Sequence, residues 1–557
     1  MLRYLLIISI AISPVQDIGG SLAFQGQDII GGAAVIFKAP KRVRDIVGGA
    51  ASMMAVRRPP RANRSANVAR NTTTRPSTQP TTADASTATA TNDRVEALIN
   101  QGNTYYDSGQ FAQALDAYQN AVKLAPQDAD AHSAVGDTLL SLGRFAEAAG
   151  AYEQTVRLER DNASAYSNLG FAYDKLGKTS ESIDALRNAT TLNSNDAVAY
   201  NNLGAALYKA GRYQEAIDAF NNAVRLQPND ADALNNLGAA FYMLEQYERA
   251  AGGFQRAIAA KADSADAHYN LGNAYYMSGK HHDATAAYLR AIQLRPDYVE
   301  ARTNLGSLLI SLGEPRNAIV ELQESIRQRP NNPVAHNNLG YAYVKFGETL
   351  DRAANIQHLR QAVDSYREAL RLKPDYIKAL NNLGAAYNKL GQYQEAADVL
   401  ARATRAKPDF PEAHYNLGTA YYSRGQFKEA VAEFQQAVQL RKDYADAYNS
   451  LGTALYRDQQ FEPAIEAYKK TLSLKPANAE TNNNLGTVYF RTKRYREAET
   501  CFKEAIKLKP DYGEAHFNLA LTYVALGNRK AALDQYNKLK TVDPKLAEDF
   551  FQRHIKK

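Results

Sequence analysis

Asparagine recurs in this chain in a register that could do chemistry. Asn100, Asn168, Asn202, Asn236, Asn270, Asn304, Asn338, Asn382, Asn416, Asn484 and Asn518 form one column, broken only by Ala134 and Ser450. A carboxamide both donates and accepts hydrogen bonds, so a ladder of them can hold an extended polypeptide backbone whatever its side chains. A second column follows six residues later: Tyr106, Tyr208, Tyr242, Tyr276, Tyr422, Tyr456 and Phe490. Tyrosine supplies flat contact area with little rotamer freedom to lose, which suits binding. The position after it holds Lys175, Lys209, Lys345, Lys389, Arg457 and Arg491, cations that favour an acidic ligand and are partly offset by Asp and Glu at the second position of the unit. Both columns also admit a packing role. The amides can bond a neighbouring helix, and the rings can fill the space between helices.

Other chemistry is poorly provided for. No phosphate-cradling GxxxxGK[ST] loop, HExxH or GxSxG motif occurs. Five histidines, His132, His268, His336, His414 and His516, stand four residues before a recurring glycine. Each therefore falls on a different helix, an arrangement that suits packing and not a shared metal. His281 and His282 fall in an inter-helix turn. The lone cysteine, Cys501, excludes an intramolecular disulfide framework and any cysteine-based metal cluster. The residues imply a protein that is not an enzyme and carries no cofactor or metal.

The elements that position these columns follow from a repeat. Gly102, Gly136, Gly170, Gly204, Gly238, Gly272, Gly306 and Gly340 are each 34 residues apart, and Gly384, Gly418, Gly452 and Gly486 continue after one 44-residue step. In the unit from Ala197 to Asp230, Ala199, Leu203, Ala206 and Leu207 make one apolar stripe at helical spacing. Tyr213, Ala216, Ile217, Phe220 and Val224 make a second. Gly211 lies between the stripes, Pro228 ends the second, and Asn229-Asp230 begin the next unit with N-cap chemistry. The unit is a helix-turn-helix, here called helix A and helix B. Thirteen units fill 95–546, with ten extra residues in the eighth near Glu348 to Gln357 that read equally as a loop or as an extended helix B.

With small residues at Gly204, Ala216 and Ala223 and proline at 228, the unit resembles the tetratricopeptide repeat family. The resemblance implies an all-α right-handed superhelical solenoid whose A helices line a concave face. The asparagine column resembles most nearly the repeat array of the O-linked N-acetylglucosamine transferases, where such a ladder holds extended polypeptide. Only 11 residues follow the repeats here, and the catalytic half of those enzymes has no counterpart. Co-chaperone repeats of the same family grip a C-terminal carboxylate with lysine one residue before the asparagine. That position here holds Ile99, Ser133, Ser167, Asn201, Asn235 and Tyr269, so a chaperone-tail clamp is not expected.

The flanks differ in composition. Residues 1–23 read as a secretory signal, with Arg3, an apolar core from Tyr4 to Ile12, and Ser21-Leu22-Ala23 before the cleavage point. Residues 24–94 read as a basic, low-complexity, disordered tail. Residues 1–94 carry 12 Lys and Arg against 5 Asp, and the remainder carries 54 of each sign, so the net charge of +7 belongs to this tail. Residues 547–557 read as a C-terminal capping helix with Phe550 and Phe551 on the last repeat.

The sequence thus describes a scaffold that binds peptide or partner segments in a groove, exported (periplasmic or secreted) on the signal reading of residues 1–23, with an organellar transit peptide or a cytoplasmic protein as the alternatives. It has no transmembrane span and no specific nucleic-acid partner. The alternative is a docking subunit of a cell-envelope or glycan-modifying enzyme complex. The expected peptide-binding residues are Asn168, Asn202, Asn236, Asn270, Asn304, Asn338, Asn382, Asn416, Asn484 and Asn518, with Tyr208, Tyr242, Tyr276, Tyr422 and Tyr456.

Overall fold

Repeat 4 shows how the sequence becomes a hairpin. The Asp196 carboxylate caps helix A, accepting from the backbone N–H groups of Val198 and Ala199 at 3.0 and 3.1 Å. The helix runs Ala197–Lys209. It ends where Gly211 adopts φ +75° and the N–H of Arg212 donates to the Leu207 carbonyl at 2.9 Å. Helix B then runs Tyr213–Leu226. This computed structural model describes residues 82–555, in which every regular element is helical and thirteen such hairpins follow one another. The fold is all-α, a tandem array of helical hairpins. The described residues fall into two compact bodies, one ending at Ala301 and one beginning at Arg302, within the helix Val299–Ser311.

The recurring glycine of helix A is a packing requirement. A Cβ on Gly204 would stand 2.5 Å from the ring of Phe220, and one on Gly486 would stand 2.7 Å from that of Phe502. Helix B thus brings its largest side chain directly against the backbone of helix A, and Phe220 is completely buried. Ala216, on the same face of helix B, is also completely buried. Where serine replaces this alanine, the Ser182 hydroxyl donates to the Gly170 carbonyl at 2.7 Å, which satisfies the polar group in place. Tyrosine in the place of Phe220 is matched in the same way. Tyr118, Tyr152 and Tyr288 donate to Asn103, Asp137 and Asn273, each 15 residues earlier.

The exit from helix B does not depend on proline. Glu159, before Arg160, has φ −126° and ψ 92°, close to the −131° and 85° of Gln227 before Pro228.

Three features depart from the sequence reading. The first A helix runs Thr82–Asp107, so residues 82–94 are helical and not part of a disordered tail. Pro80 is the last proline before it, and the alanine-rich stretch beyond offers no barrier to a helix already nucleated by packed turns. The signal and the rest of the tail, 1–81, lie outside the described residues. In repeat 8, helix A runs Pro333–Gly347 and helix B Arg352–Leu372. The ten added residues therefore lengthen both helices and leave a short connection. The C-terminal helix begins at Pro544, and Phe550 is fully buried, 5.7 Å edge-on to Phe517 and 6.2 Å over Tyr536.

Candidate functional site

The asparagine column divides by burial. Asn202, Asn236, Asn270, Asn304, Asn338 and Asn416 are buried, Asn236 to 1% exposure. Asn168, Asn382, Asn484 and Asn518 are part exposed. For the buried members, the expected display of a free amide to solvent is corrected. Asn236 donates to the Asn201 oxygen at 3.1 Å, Asn270 to Asn235 at 3.1 Å, and Asn416 to Asn381 at 2.9 Å. The part-exposed Asn382 and Asn518 make the same bond to Asn337 and Asn483, and Asn168 donates to Asp137. Asn338 accepts from its neighbour Asn337 at 3.3 Å. Each cross-repeat bond joins one A helix to the preceding one, so the ladder stitches repeats together.

The acceptors Asn201, Asn235, Asn337, Asn381 and Asn483 occupy the position whose lack of lysine argues against a chaperone-tail clamp, and the sequence carries a signal for their role as acceptors. Each belongs to an Asn-Asn doublet, with the next repeat's donor beginning another step of the ladder. A polar position repeated beside another at the same period is what two facing helices need to satisfy each other.

The tyrosine column behaves similarly. Tyr208, Tyr242 and Tyr276 are buried, and each packs on the first residue of its own helix B: Tyr213 at 5.3 Å, Tyr247 at 5.4 Å and His281 at 5.5 Å. Burial pushes all three hydroxyls above their ordinary pKa, Tyr276 to about 12. Tyr422 and Tyr456 keep the same contacts, on Phe427 and Phe461, but remain part exposed.

The repeated histidines latch the turns between repeats. The Nε2 of His132, His336, His414 and His516 donates to the carbonyl oxygen of the residue six earlier, Pro126, Pro330, Pro408 and Pro510, at 2.9–3.0 Å. His268 reaches Ala262 in the same way at 3.3 Å. A hydrogen bond to Glu433 raises the pKa of His414, whereas burial lowers that of His268. Burial also pushes the Cys501 thiol up to about 11, which leaves it a poor nucleophile. Among the described residues, no group of three or more His, Cys, Asp or Glu could hold a metal ion, and no helix is long and apolar enough to cross a membrane.

The A-helix face opens in repeats 11 and 12, whose A helices run Ala445–Arg457 and Ala479–Arg491. Asn449, Ser450, Thr453, Tyr456 and Arg457 are all part exposed, as are Asn484, Thr487, Phe490 and Arg491. Several of these residues already have partners. Asn449 accepts from Thr481 at 2.9 Å, and Thr453 lies 3.0 Å from the Tyr468 hydroxyl. Asn484 differs from Asn236, Asn270 and Asn416, because it is part exposed and its carboxamide has no side-chain partner among the described residues.

Family models place this geometry. Tetratricopeptide-repeat models match residues 265–298, 306–347, 357–391, 384–423, 418–459, 454–493 and 477–545. The chain is built of tetratricopeptide repeats. A model of the cilia and flagella-associated protein 70 C-terminal domain matches residues 61–274, which take in the first repeats. No curated protein sequence matches the chain. Among solved structures, a chain of the APC/C hetero-tetramer Cut9-Hcn1 is similar at 14% identity and TM-score 0.39, over 83% of this chain and 96% of that one. Two MamA structures align at 26% and 24% identity with TM-scores of 0.29 and 0.28, over 30% and 33% of this chain and 97% and 95% of theirs. Tetratricopeptide arrays are protein-interaction scaffolds, and this array falls in that class.

Proposed function

We propose that this tetratricopeptide array is a non-enzymatic scaffold that holds an extended polypeptide segment along the A-helix face of repeats 11 and 12. The observation that carries the reading is the open face itself. There, part-exposed Asn449, Ser450, Asn484 and Thr487 supply hydrogen-bonding groups beside the part-exposed rings of Tyr456 and Phe490. Backbone-directed polar groups next to flat aromatic surface suit a ligand of variable sequence. Elsewhere Asn168, Asn236, Asn270, Asn382, Asn416 and Asn518 are engaged with the preceding repeat, which leaves them to set the stacking of the array.

Photocrosslinking tests this. A photoreactive residue replacing Thr453 should capture polypeptide in extracts of the native host. The same residue replacing Val320, 59% exposed on helix B of repeat 7, should capture little. Combining the Thr453 probe with Asn449→Ala, Tyr456→Ala and Asn484→Ala should abolish capture while the protein stays folded. Equal labelling from both positions would overturn the reading. Capture of one stoichiometric partner from Thr453 would favour a dedicated docking subunit, and capture of many segments would favour a general scaffold.

A further inference from the structure

The cations that follow the aromatic column exist in two states. Lys209 of repeat 4 is ion-paired with Asp174 of repeat 3. Lys345 and Lys389 converge on Glu348 at 3.0 and 2.6 Å, and these three groups neutralise one another in part. In repeats 11 and 12 the position holds arginine, and neither Arg457 nor Arg491 is ion-paired among the described residues.

The surroundings of Arg457 organise it without cancelling its charge. The Arg457 guanidinium lies 4.7 Å over the ring of Phe427, and burial raises the pKa of the Tyr422 hydroxyl while the Arg457 charge pulls it down. Burial raises the Tyr456 hydroxyl above its ordinary pKa, while the charges of Arg491 and Arg457 pull it back, so both cations act at this one tyrosine. Acidic residues near the face are largely engaged elsewhere. Glu412 pairs with Arg441, Asp446 with Lys475 at 2.8 Å, and Asp458 accepts from Gln460 at 2.7 Å. Exposed Glu480 stands at the start of the repeat 12 helix, and exposed Lys493 follows Arg491 by two residues.

We infer that the open face of repeats 11 and 12 selects an acidic polypeptide segment, with Arg457 and Arg491 receiving its carboxylates beside Tyr456. The inference deepens the groove-binding reading above and rests on it. A guanidinium presents a planar fork of donors that matches a carboxylate in two parallel hydrogen bonds. One already stacked on an aromatic ring gives up less freedom on binding than a lysine in solvent. Arg457, stacked on Phe427, and Arg491 one repeat on would read acidic side chains at separated points of an extended strand. The neighbouring amides and hydroxyls face the backbone between those points.

Selection from a random-peptide display library against the full chain tests the inference. Selected peptides should be enriched in Asp and Glu. A selected acidic peptide, followed by fluorescence anisotropy at low salt, should bind Arg457→Gln/Arg491→Gln about tenfold or more weakly, since two charge-assisted contacts are lost. Lys209→Gln/Lys389→Gln, which alters cations already paired, should leave its affinity within about twofold. Arg457→Lys/Arg491→Lys should recover part of the loss, which separates a charge effect from a folding defect. Peptides selected without acidic bias, or bound equally by wild type and the Arg→Gln variant, would overturn the acidic selectivity and leave the groove standing. Failure to select any peptide would overturn both. An oligonucleotide that displaces the acidic peptide and binds more tightly would show that the face reads phosphate and would overturn the partner class.

Discussion

Repeats 4 and 5 and repeats 11 and 12 are built from the same hairpin, yet they present opposite A-helix faces. In the earlier pair, Asn236 donates to Asn201, Tyr208 and Tyr242 are buried, and Lys209 is neutralised by Asp174. In the later pair, serine stands at position 450 of the asparagine column, Asn484 has no side-chain partner, Tyr456 is part exposed, and Arg457 and Arg491 carry uncompensated charge. The interior does not change: Gly204 meets Phe220 as Gly486 meets Phe502. The same register therefore serves as a seam in one place and as an open surface in another. The difference lies in how deeply the column residues are buried and in whether those such as Asn236 and Lys209 find a complement one repeat away.

The largest effect should come from the shared interior and should fall equally on both regions. A Cβ on Gly238 would stand 2.8 Å from the ring of Phe254, and one on Gly486 would stand 2.7 Å from that of Phe502. Gly238→Val and Gly486→Val should each cost about 3 kcal/mol in chemical denaturation, the upper end for overpacking a tight core. A marked inequality between the two would show that the regions differ in their cores and not only in their faces.

A smaller effect should separate the two faces. Asn236→Ala removes a buried amide bond and should destabilise by roughly 1–3 kcal/mol, whereas Asn484→Ala should fall within about 0.5 kcal/mol. Both are read from denaturation midpoints. Equal losses would mean that Asn484 is also a structural stitch, and the open face would lose its clearest free donor.

The smallest effect concerns the turns. Nine hairpins close with glycine at positive φ, but Glu245, Gln459 and Lys493 occupy the same left-handed region at 60°, 64° and 62°. A side chain there costs about 1–2 kcal/mol, of which the greater unfolded-state freedom of glycine returns part. Glu245→Gly, Gln459→Gly and Lys493→Gly should each raise stability by about 0.5–1 kcal/mol in thermal or chemical unfolding. A gain at Glu245 alone would set the turns of repeats 11 and 12 apart from that of repeat 5.

The sequence by itself determined the period, both helices of each unit, the glycine approach and the turn chemistry. These features depend on residues close together in one chain segment, where spacing maps directly onto helical faces. The Asn-Asn doublets also held part of the seam in legible form, because in Asn235-Asn236 and Asn381-Asn382 an acceptor sits beside a donor at the same period. Only the tertiary structure decided which column members face a neighbour and which face solvent. That outcome turns on the pairing of residues 35 apart, as between Asn201 and Asn236, and 45 apart across repeat 8, as between Asn337 and Asn382. It also decided that the ten added residues lengthen both helices of repeat 8, and that Lys389 spans 41 residues to share Glu348 with Lys345. A column in sequence fixes the type and register of a side chain. Its exposure and free valence are set by how closely the next repeat approaches and by what that repeat places opposite it.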